Sequence, residues 1–227
     1  MKKIFLLISF TTLMLQSCSS GDSDNNSNNT VTDIDGNVYQ TLTICNQTWT
    51  KSNLNVSKYR NGDLIPQVTD PTAWANLTTG AWCYYNNDPT NGAVYGKLYN
   101  WYAVNDPRGL APLGYHIPTD AEWTSLINCL GGEAVAGGKM KEAGTGLWLT
   151  PNTGATNESG FTGLPGGYRG FNGSFNSISR NCYWWSSSEY DTMDGLFYYL
   201  YYNINGGNAF RYNYNKKDGF SIRCIKD

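Results

Sequence analysis

The chain has 227 residues, with 16 Lys and Arg against 18 Asp and Glu. This nearly even balance excludes a basic nucleic-acid binder and an acidic solvating tail. Hydrophobic residues make up 40% of the chain and charged residues only 15%, beside 25 glycines. Such a composition supports a folded core, excludes coiled coil and collagen, and favours turns and short strands over charged helices. We therefore expect one folded domain.

The N-terminus is typical of an export signal. Lys2 and Lys3 precede an apolar stretch at positions 4–15, which is followed by Leu15-Gln16-Ser17-Cys18. About 12 apolar positions fall short of the roughly 20 that a spanning helix needs, so we predict a cleaved signal peptide at residues 1–17. The Leu-x-Ser-Cys sequence resembles a bacterial lipobox. That resemblance implies lipidation of Cys18 and a membrane anchor.

A polar linker follows the predicted anchor. Residues 19–30 consist only of Ser, Gly, Asp, Asn and Thr, so they offer no apolar side chain to bury. We expect residues 18–30 to be a lipidated, flexible linker and residues 31–227 to be the folded domain. Asp22 and Asp24 resemble the acidic residues that often accompany transport of Bacteroidota lipoproteins to the outer face. We therefore predict an outer-membrane lipoprotein exposed at the cell surface.

The first half of the domain predicts a hairpin and short helices. β-rich runs at 38–44 and 47–51 are separated by Cys45-Asn46, which indicates a tight hairpin. Asp70-Pro71 predicts a short helical turn that carries Trp74. A second helix is expected at 96–104, with Leu98, Tyr99 and Tyr102 on its buried side.

The clearest helix begins at Thr119. Thr119-Asp120-Ala121-Glu122 is a capping box, in which the hydroxyl and the carboxylate each accept a backbone N–H. Trp123, Leu126, Ile127 and Leu130 then recur at helical spacing, so one face is apolar and packs inward. Gly131 ends the predicted helix.

The last quarter is the strongest β signal. An aromatic run at 196–204, turn residues at 205–208 and a return at 209–214 predict a hairpin. Because 196–204 is apolar on both faces, we expect a central strand, followed by a final strand at 220–225. The Gly-rich stretch 144–180 is too long for a structureless loop, so we expect an ordered one. The aromatic residues expected to pack it are Trp148, Phe161, Tyr168, Phe171 and Phe175.

Eight motifs in order resemble one family of exported bacterial proteins, the Fibrobacter succinogenes major paralogous domain. The match covers essentially the whole domain. The resemblance implies an α+β, C-type lectin-like fold, similar also to formylglycine-generating enzymes, with short, mostly antiparallel strands, one or two main helices and long ordered loops. It implies no activity. The motifs are Gln47-Thr48-Trp49, Asn53-Leu54-Asn55-Val56, Tyr99-Asn100-Trp101-Tyr102, Gly114-Tyr115-His116-Ile117-Pro118-Thr119, Glu122-Trp123, Leu164-Pro165-Gly166-Gly167-Tyr168-Arg169, Tyr183-Trp184-Trp185-Ser186-Ser187 and Gly219-Phe220-Ser221-Ile222-Arg223-Cys224.

Five cysteines remain once Cys18 is set aside, and an exported chain allows disulfides. An odd number leaves at least one thiol outside any bridge within the chain, and spacing alone does not define the pairs. The resemblance to C-type lectins implies a bridge from Cys129 to Cys224. Typical family members also carry a Cys where this chain has Ala111, so one possible partner of Cys224 is missing here.

Catalytic signatures are scarce. Gly-x-Ser-x-Gly, a phosphate loop and a dinucleotide fingerprint are absent, and His116 is the only histidine, for which a structural hydrogen bond is favoured. The oxidase chemistry of the formylglycine-generating fold needs two close thiolates for copper, and Cys182 has no cysteine near it in sequence. We therefore predict no enzyme and no cofactor. Calcium stays an alternative, with oxygen ligands from 85–88 or 191–194.

The aromatic residues suggest a binding surface. The chain has eight Trp and 17 Tyr, most of which are expected in the core. Trp184 and Trp185 are adjacent and point to opposite faces of an extended strand, so we expect one of them to be an exposed platform. The resemblance in fold adds four further candidate ligand residues, Tyr168, Arg169, Glu189 and Arg211.

Three hypotheses follow for the function. The first is a non-enzymatic, surface-anchored lectin-like domain that binds an extracellular glycan or protein through residues 144–194. The second is a structural or adhesive envelope component, either fimbria-associated or a spacer, that has no small ligand. The third is a diverged oxidase.

Overall fold

The computed structural model of the protein describes residues 29–203 and 205–227. The predicted signal peptide 1–17, Cys18 and most of the linker 18–30 lie outside the described residues. Within them the chain mixes helices and strands, and all paired strands of its four sheets run antiparallel. The expected mixture of short helices with antiparallel strands is confirmed.

The strands are short, and none exceeds nine residues in the described part of the chain. They are β1 Thr30–Thr32, β2 Val38–Ile44, β3 Gln47–Thr50, β4 Trp82–Cys83, β5 Leu98–Tyr99, β6 Tyr115–His116, β7 Gly166–Arg169, β8 Phe175–Ile178, β9 Asn181–Glu189, β10 Asp194–Tyr201, β11 Ala209–Asn215 and β12 Ile225–Lys226. Five of them form a sheet in the order β1-β2-β3-β12-β6, and three form a second sheet in the order β11-β10-β9. β4 pairs with β5, and β7 pairs with β8.

The helices are also short. They are α1 Pro71–Ala75, α2 Pro89–Tyr95, α3 Trp101–Val104, α4 Asp120–Cys129 and α5 Glu133–Met140, with a single 3-10 turn at Tyr85–Asn87. Among the described residues, no helix combines the length and the apolarity that crossing a bilayer requires.

The predicted hairpin and the capped helix are both confirmed. β2 and β3 pair through Leu42 and Trp49, and Cys45 takes a positive φ of 53° in the turn between them. Thr119 caps α4, with both hydrogen bonds of the capping box present. Trp123 of α4 then packs on Trp49 of the hairpin, with 4.8 Å between ring centroids. The hairpin and the helix therefore share one core.

The expected helix at 96–104 is wrong in its first half. Gly96 ends α2 with a positive φ, and the next residues form β5, which pairs with β4. Helical structure begins only after Asn100, whose side chain accepts a hydrogen bond from Ala103 N–H. Asn100, the cap residue within Tyr99-Asn100-Trp101-Tyr102, therefore defines where α3 starts.

The expected final strand at 220–225 is also only partly correct. Phe220 bridges Tyr99 and Ser221 bridges Trp184, whereas only Ile225 and Lys226 lie in β12. The segment passes from one sheet to another, so it changes partners instead of continuing one ladder. The predicted central strand is confirmed, since β10 lies between β9 and β11, although it ends at Tyr201.

The three-stranded sheet separates the two larger cores. On one side Trp184, Tyr198 and Leu200 pack with the helices α4 and α5. On the other side Trp185 and Phe197 pack with Phe220 and the early half of the domain. This arrangement makes the sheet the centre of the described domain, and a smaller third cluster forms around Trp74.

Five buried cations among the described residues donate to backbone carbonyls, and three of them hold loops against the core. Arg223 donates to Thr50 O at 2.7 Å, to Phe161 O at 3.1 Å and to Thr162 O at 3.0 Å. Lys141 donates to Thr153 O and Tyr201 O. Arg169 of β7 also donates to three backbone carbonyls. Burial lowers the pKa of Lys141 to about 8 and that of Arg223 to about 9.

The disulfide implied by the resemblance is wrong. Cys129 is bonded to Cys45, whereas Cys224 is fully buried and unbonded. Cys129 is the last residue of α4 and lies at the surface beside the hairpin turn, where Cys45 is also exposed. Cys224 instead packs within the core on the far side of the sheet. The end of α4 therefore lies close enough to the hairpin turn for Cys129 to bond Cys45, and it is separated from Cys224.

Candidate functional site

The face of the three-stranded sheet opposite α4 is almost entirely aromatic and is only partly covered by the early half of the domain. Successive residues of a strand alternate between faces, so the aromatic residues at every second position of β11 all point to one side. Together with residues of β7, β9 and β10 they form a surface that we call the tyrosine face. It consists of Tyr168, Tyr183, Tyr199, Tyr212 and Tyr214.

The rings of the tyrosine face support one another and rest on a buried floor. Tyr183 stacks on Tyr199 at 5.6 Å, and Tyr168 lies 4.8 Å from Tyr183. Beneath them, Phe197 stacks on Tyr214 at 5.1 Å and is itself buried. Aromatic contacts of this kind hold the rings in fixed orientations. Even so, Tyr212 is 58% exposed and Tyr214 is 44% exposed.

A loop at 170–174 forms a wall beside these rings. Gly173 takes a positive φ of 85°, and a Cβ at this position would lie 2.6 Å from Pro71. Only glycine therefore allows the loop to fold so closely against α1. The tip of the loop carries Phe171, which is 57% exposed and so is not the packed residue that the sequence predicted.

Two adjoining cavities lie along this surface. One of about 200 Å³ lies over the tyrosines and Asn181. The other, of about 470 Å³, lies between the 170–174 loop and β11, and Tyr214 lines both. Its aromatic lining is Tyr168, Phe171 and Tyr214. Its polar lining includes Asn172, Asn176, Asn215, Asp194 and Asp218.

Asp218 is the most perturbed acid of the larger cavity. The residue is 3% exposed, and its carboxylate accepts the Phe171 N–H at 2.8 Å. Burial raises the pKa of Asp218 to about 7, the Phe171 N–H opposes this rise, and the charge of Asp194 adds to it. Aromatic faces, amides and a desolvated carboxylate therefore converge on one open surface. This combination fits a ligand with apolar C–H faces and polar substituents.

Tyr168 and Arg169 are neighbours in β7 with opposite environments. Tyr168 lines the larger cavity, as a candidate ligand residue should. Arg169 is fully buried and donates to Val68 O at 2.6 Å, to Thr69 O at 2.9 Å and to Gly173 O at 3.1 Å. Its guanidinium also lies over the ring of Trp74. Arg169 therefore positions the 170–174 loop and cannot meet a ligand directly.

The prediction that Trp184 or Trp185 is an exposed platform is wrong. Both side chains are fully buried, because the sheet is covered on both faces at this point. Trp184 packs against Trp123 and Phe161, and its indole N–H donates to Asn53. Trp185 packs against Phe220 at 4.3 Å and donates to Tyr99 O.

Glu189 and Arg211 lie outside the two cavities. Glu189, the last residue of β9, accepts a hydrogen bond from the buried Lys216. Arg211 forms a bidentate pair with Asp120 of α4, at 2.6 and 2.9 Å. The two side chains are already engaged in ion pairs, and Arg211 points to the face of β11 opposite the tyrosines.

His116 has the structural hydrogen bonds that the sequence favoured. Its Nδ1 lies 2.7 Å from Asp227 Oδ1, and its Nε2 lies 2.8 Å from Glu122 Oε1. Burial disfavours the imidazolium, but the two carboxylates outweigh burial and raise the pKa of His116. The ring therefore links the capping box of α4 to Asp227, which follows β12.

The candidate calcium ligands are engaged as turn caps. Asp88 caps α2 by accepting Thr90 N–H, and Asp191 accepts the N–H groups of Met193 and Asp194. Within residues 29–203 and 205–227, no group of three His, Cys, Asp or Glu side chains is placed to hold a metal ion.

The unbonded cysteines are spread through the interior. Cys83, Cys182 and Cys224 are all buried. Burial raises the pKa of Cys83 and of Cys224 to about 12 and raises that of Cys182 as well. The three thiols are therefore protonated near neutral pH.

Sequence reasoning missed most of this surface. Alternation of aromatic and polar residues from Phe210 to Asn215 is a period-two signal for one aromatic strand face, and it was available in the sequence. Asp218 and the exposure of Phe171 had no such signal, because both depend on how distant loops meet.

Fold and surface together define a small α+β domain with an open aromatic face. The chain belongs to the Fibrobacter succinogenes major domain family, which matches residues 42–226. No curated protein matches the chain, and no solved structure matches it either.

Proposed function

We propose that the protein is a non-enzymatic, lectin-like lipoprotein that binds an extracellular glycan through the tyrosine face. The observation that carries this proposal is that the exposed rings of Tyr212 and Tyr214 lie beside amides in two adjoining cavities. The C–H faces of sugars stack on aromatic rings, and amides such as those of Asn172 and Asn176 hydrogen-bond hydroxyl groups. Because the rings rest on a buried aromatic floor, little conformational entropy is lost when a ligand binds.

The size of the surface supports an oligosaccharide. The larger cavity of about 470 Å³ falls in the range of ligand sites, and the smaller one extends it along the sheet through Tyr214. An isolated patch of this kind on a secreted or surface protein marks a site of interaction. A chain of two or more sugar rings is the occupant that such an elongated site fits.

Binding of a glycan panel tests this proposal. We would use the full-length protein in a detergent without sugar groups, with and without a calcium chelator. Tyr212→Ala with Tyr214→Ala should weaken binding at least about tenfold, the loss expected for two stacking contacts. Tyr190→Ala is the matched control, since Tyr190 is 57% exposed and lines neither cavity. Unchanged binding by the folded double variant, or no binding to any glycan, would overturn the proposal.

We place the domain at the outer face of the outer membrane, anchored through Cys18. The support is the sequence at positions 2–18 and the polar linker that follows it. Cys18→Ser should move the protein from the membrane fraction to the soluble fraction. Protease added to intact cells should remove the wild-type domain, and its protection would contradict exposure at the surface.

A further inference from the structure

The larger cavity is anionic and has no basic residue in its lining. Asp218 forms its most buried acidic group. Asp194 of β10 also lines the cavity, although its carboxylate turns to Asn213 on the strand face opposite the tyrosines. Within the described residues, neither carboxylate is in an ion pair: Asp218 accepts from a backbone N–H, and Asp194 accepts from the Asn213 amide. Burying a carboxylate without a cation is costly, and at Asp218 either a proton or a cation entering the cavity offsets that cost.

Two partly buried acids elsewhere in the domain are paired with arginine, whereas the buried Asp33 accepts four hydrogen bonds from Asp35, Asn37 and Tyr39. Asp120 is paired with Arg211, and Asp106 is paired with Arg108. The nearest lysines in sequence are also used, since Lys216 bonds Glu189 and Lys217 donates to Ala75 O. Asp218 differs from these positions, because it has neither an ion pair nor the four hydrogen bonds of Asp33, and a cation that pairs with it must come from solvent.

The walls of the cavity favour an organic cation over a metal ion. Tyr168, Phe171 and Tyr214 present aromatic rings, which attract ammonium groups. Calcium takes six to eight oxygen ligands, and the described residues have no group of three acids placed for a metal. An ammonium group needs only the Asp218 carboxylate and the ring faces.

We propose that this cavity is an ammonium subsite, which binds an unacetylated amino sugar of the glycan with its ammonium group on Asp218. The subsite rests on the proposed function, because the sugar ring lies on Tyr168 and Tyr214 while its hydroxyl groups meet Asn172 and Asn176. N-acetylation of the sugar removes the charge and adds bulk where the Asp218 carboxylate is. The chain therefore distinguishes free from acetylated amino sugars.

Calorimetry with three matched oligosaccharides tests the subsite. The probes are tetramers of glucosamine, of N-acetylglucosamine and of glucose, added to the full-length protein at pH 7.5 in a detergent without sugar groups. The glucosamine tetramer should bind about tenfold more tightly than the other two, as a hydrogen bond between charged groups predicts. Asp218→Asn should abolish this preference and leave the affinity for the glucose tetramer unchanged.

Two further variants keep the test decisive. Glu133→Gln is the control, since Glu133 is exposed on α5 and outside the cavity, and it should retain the preference. If Asp218→Asn does not fold, Asp194→Asn should reduce the preference in the same direction.

The outcomes separate the subsite from the proposed function. Binding of all three tetramers with equal affinity would overturn the subsite and leave the glycan function standing. Binding of none would overturn both. Binding of trilysine, dependent on Asp218 and without binding of the glucosamine tetramer, would overturn the amino-sugar assignment and point to a basic peptide.

Discussion

The two faces of the three-stranded sheet are built from alternate residues of the same strands, yet they have different environments. Tyr198 points toward α4, stacks on Trp123 and hydrogen-bonds Asp120. Its neighbour Tyr199 points the other way and remains partly exposed among other tyrosines. Because both residues are tyrosines, their different burial depends on which elements cover each face of the sheet. An aromatic strand face becomes a candidate site where no helix covers it.

Removing one aromatic ring from each face of the sheet should give the largest difference in the free energy of unfolding. Trp184→Ala should lower the free energy of unfolding by about 3–5 kcal/mol, because it leaves a cavity beneath α4. Tyr212→Ala should lower it by less than about 1 kcal/mol, because that ring is largely exposed. Urea unfolding followed by circular dichroism measures both. Equal losses would show that the outer face also carries the stability of the domain.

The two arginines that the sequence proposed for ligand binding give the next contrast. Arg169→Met should destabilise the protein by about 2–4 kcal/mol, since three buried carbonyls lose a charged donor. Arg211→Met should cost no more than about 1 kcal/mol, because its pair with Asp120 is exposed to solvent. Thermal unfolding of the two variants makes the comparison. A similar effect of both substitutions would contradict the structural role of Arg169.

The smallest effect concerns Asp218 and depends on pH. Its pKa is about 7 in the folded protein against 3.8 as the ordinary value, so the folded state holds a proton that the unfolded state releases between these values. The stability that this proton contributes is present below about pH 4 and is lost as the pH rises through 7. Relative to wild type, Asp218→Asn should therefore gain about 1–3 kcal/mol between pH 4.5 and pH 8.

Urea unfolding of both proteins at the two pH values measures this difference. Acids far from Asp218 titrate equally in wild type and variant, so the difference reports Asp218 together with its interaction with the charge of Asp194. The control Glu133→Gln should follow the wild type at both pH values. A constant difference between wild type and Asp218→Asn would refute the raised pKa.

Local signals predicted the elements better than the surface. The capping box at Thr119 and the turn at Cys45-Asn46 were readable because each depends on neighbours in sequence. The hydrophobic pattern identified the central strand for the same reason. Trp184 and Trp185 were misassigned because alternation shows that two residues face opposite ways, and does not show what covers each face. The Cys45 pairing likewise depends on where the hairpin meets α4.

The carbonyl-bound cations have a consequence for the medium in which the domain works. Carbonyl oxygens do not titrate near neutral pH, and contacts in the interior are screened little by salt. Acidification that neutralises carboxylates at the surface leaves the acceptors of Arg169, Arg223 and Lys141 in place. The 170–174 loop beside the tyrosine face therefore keeps its Arg169 anchor when the medium outside the cell is acidified, although its contact with Asp218 titrates. A site built on such loops holds its shape while its surface ion pairs weaken.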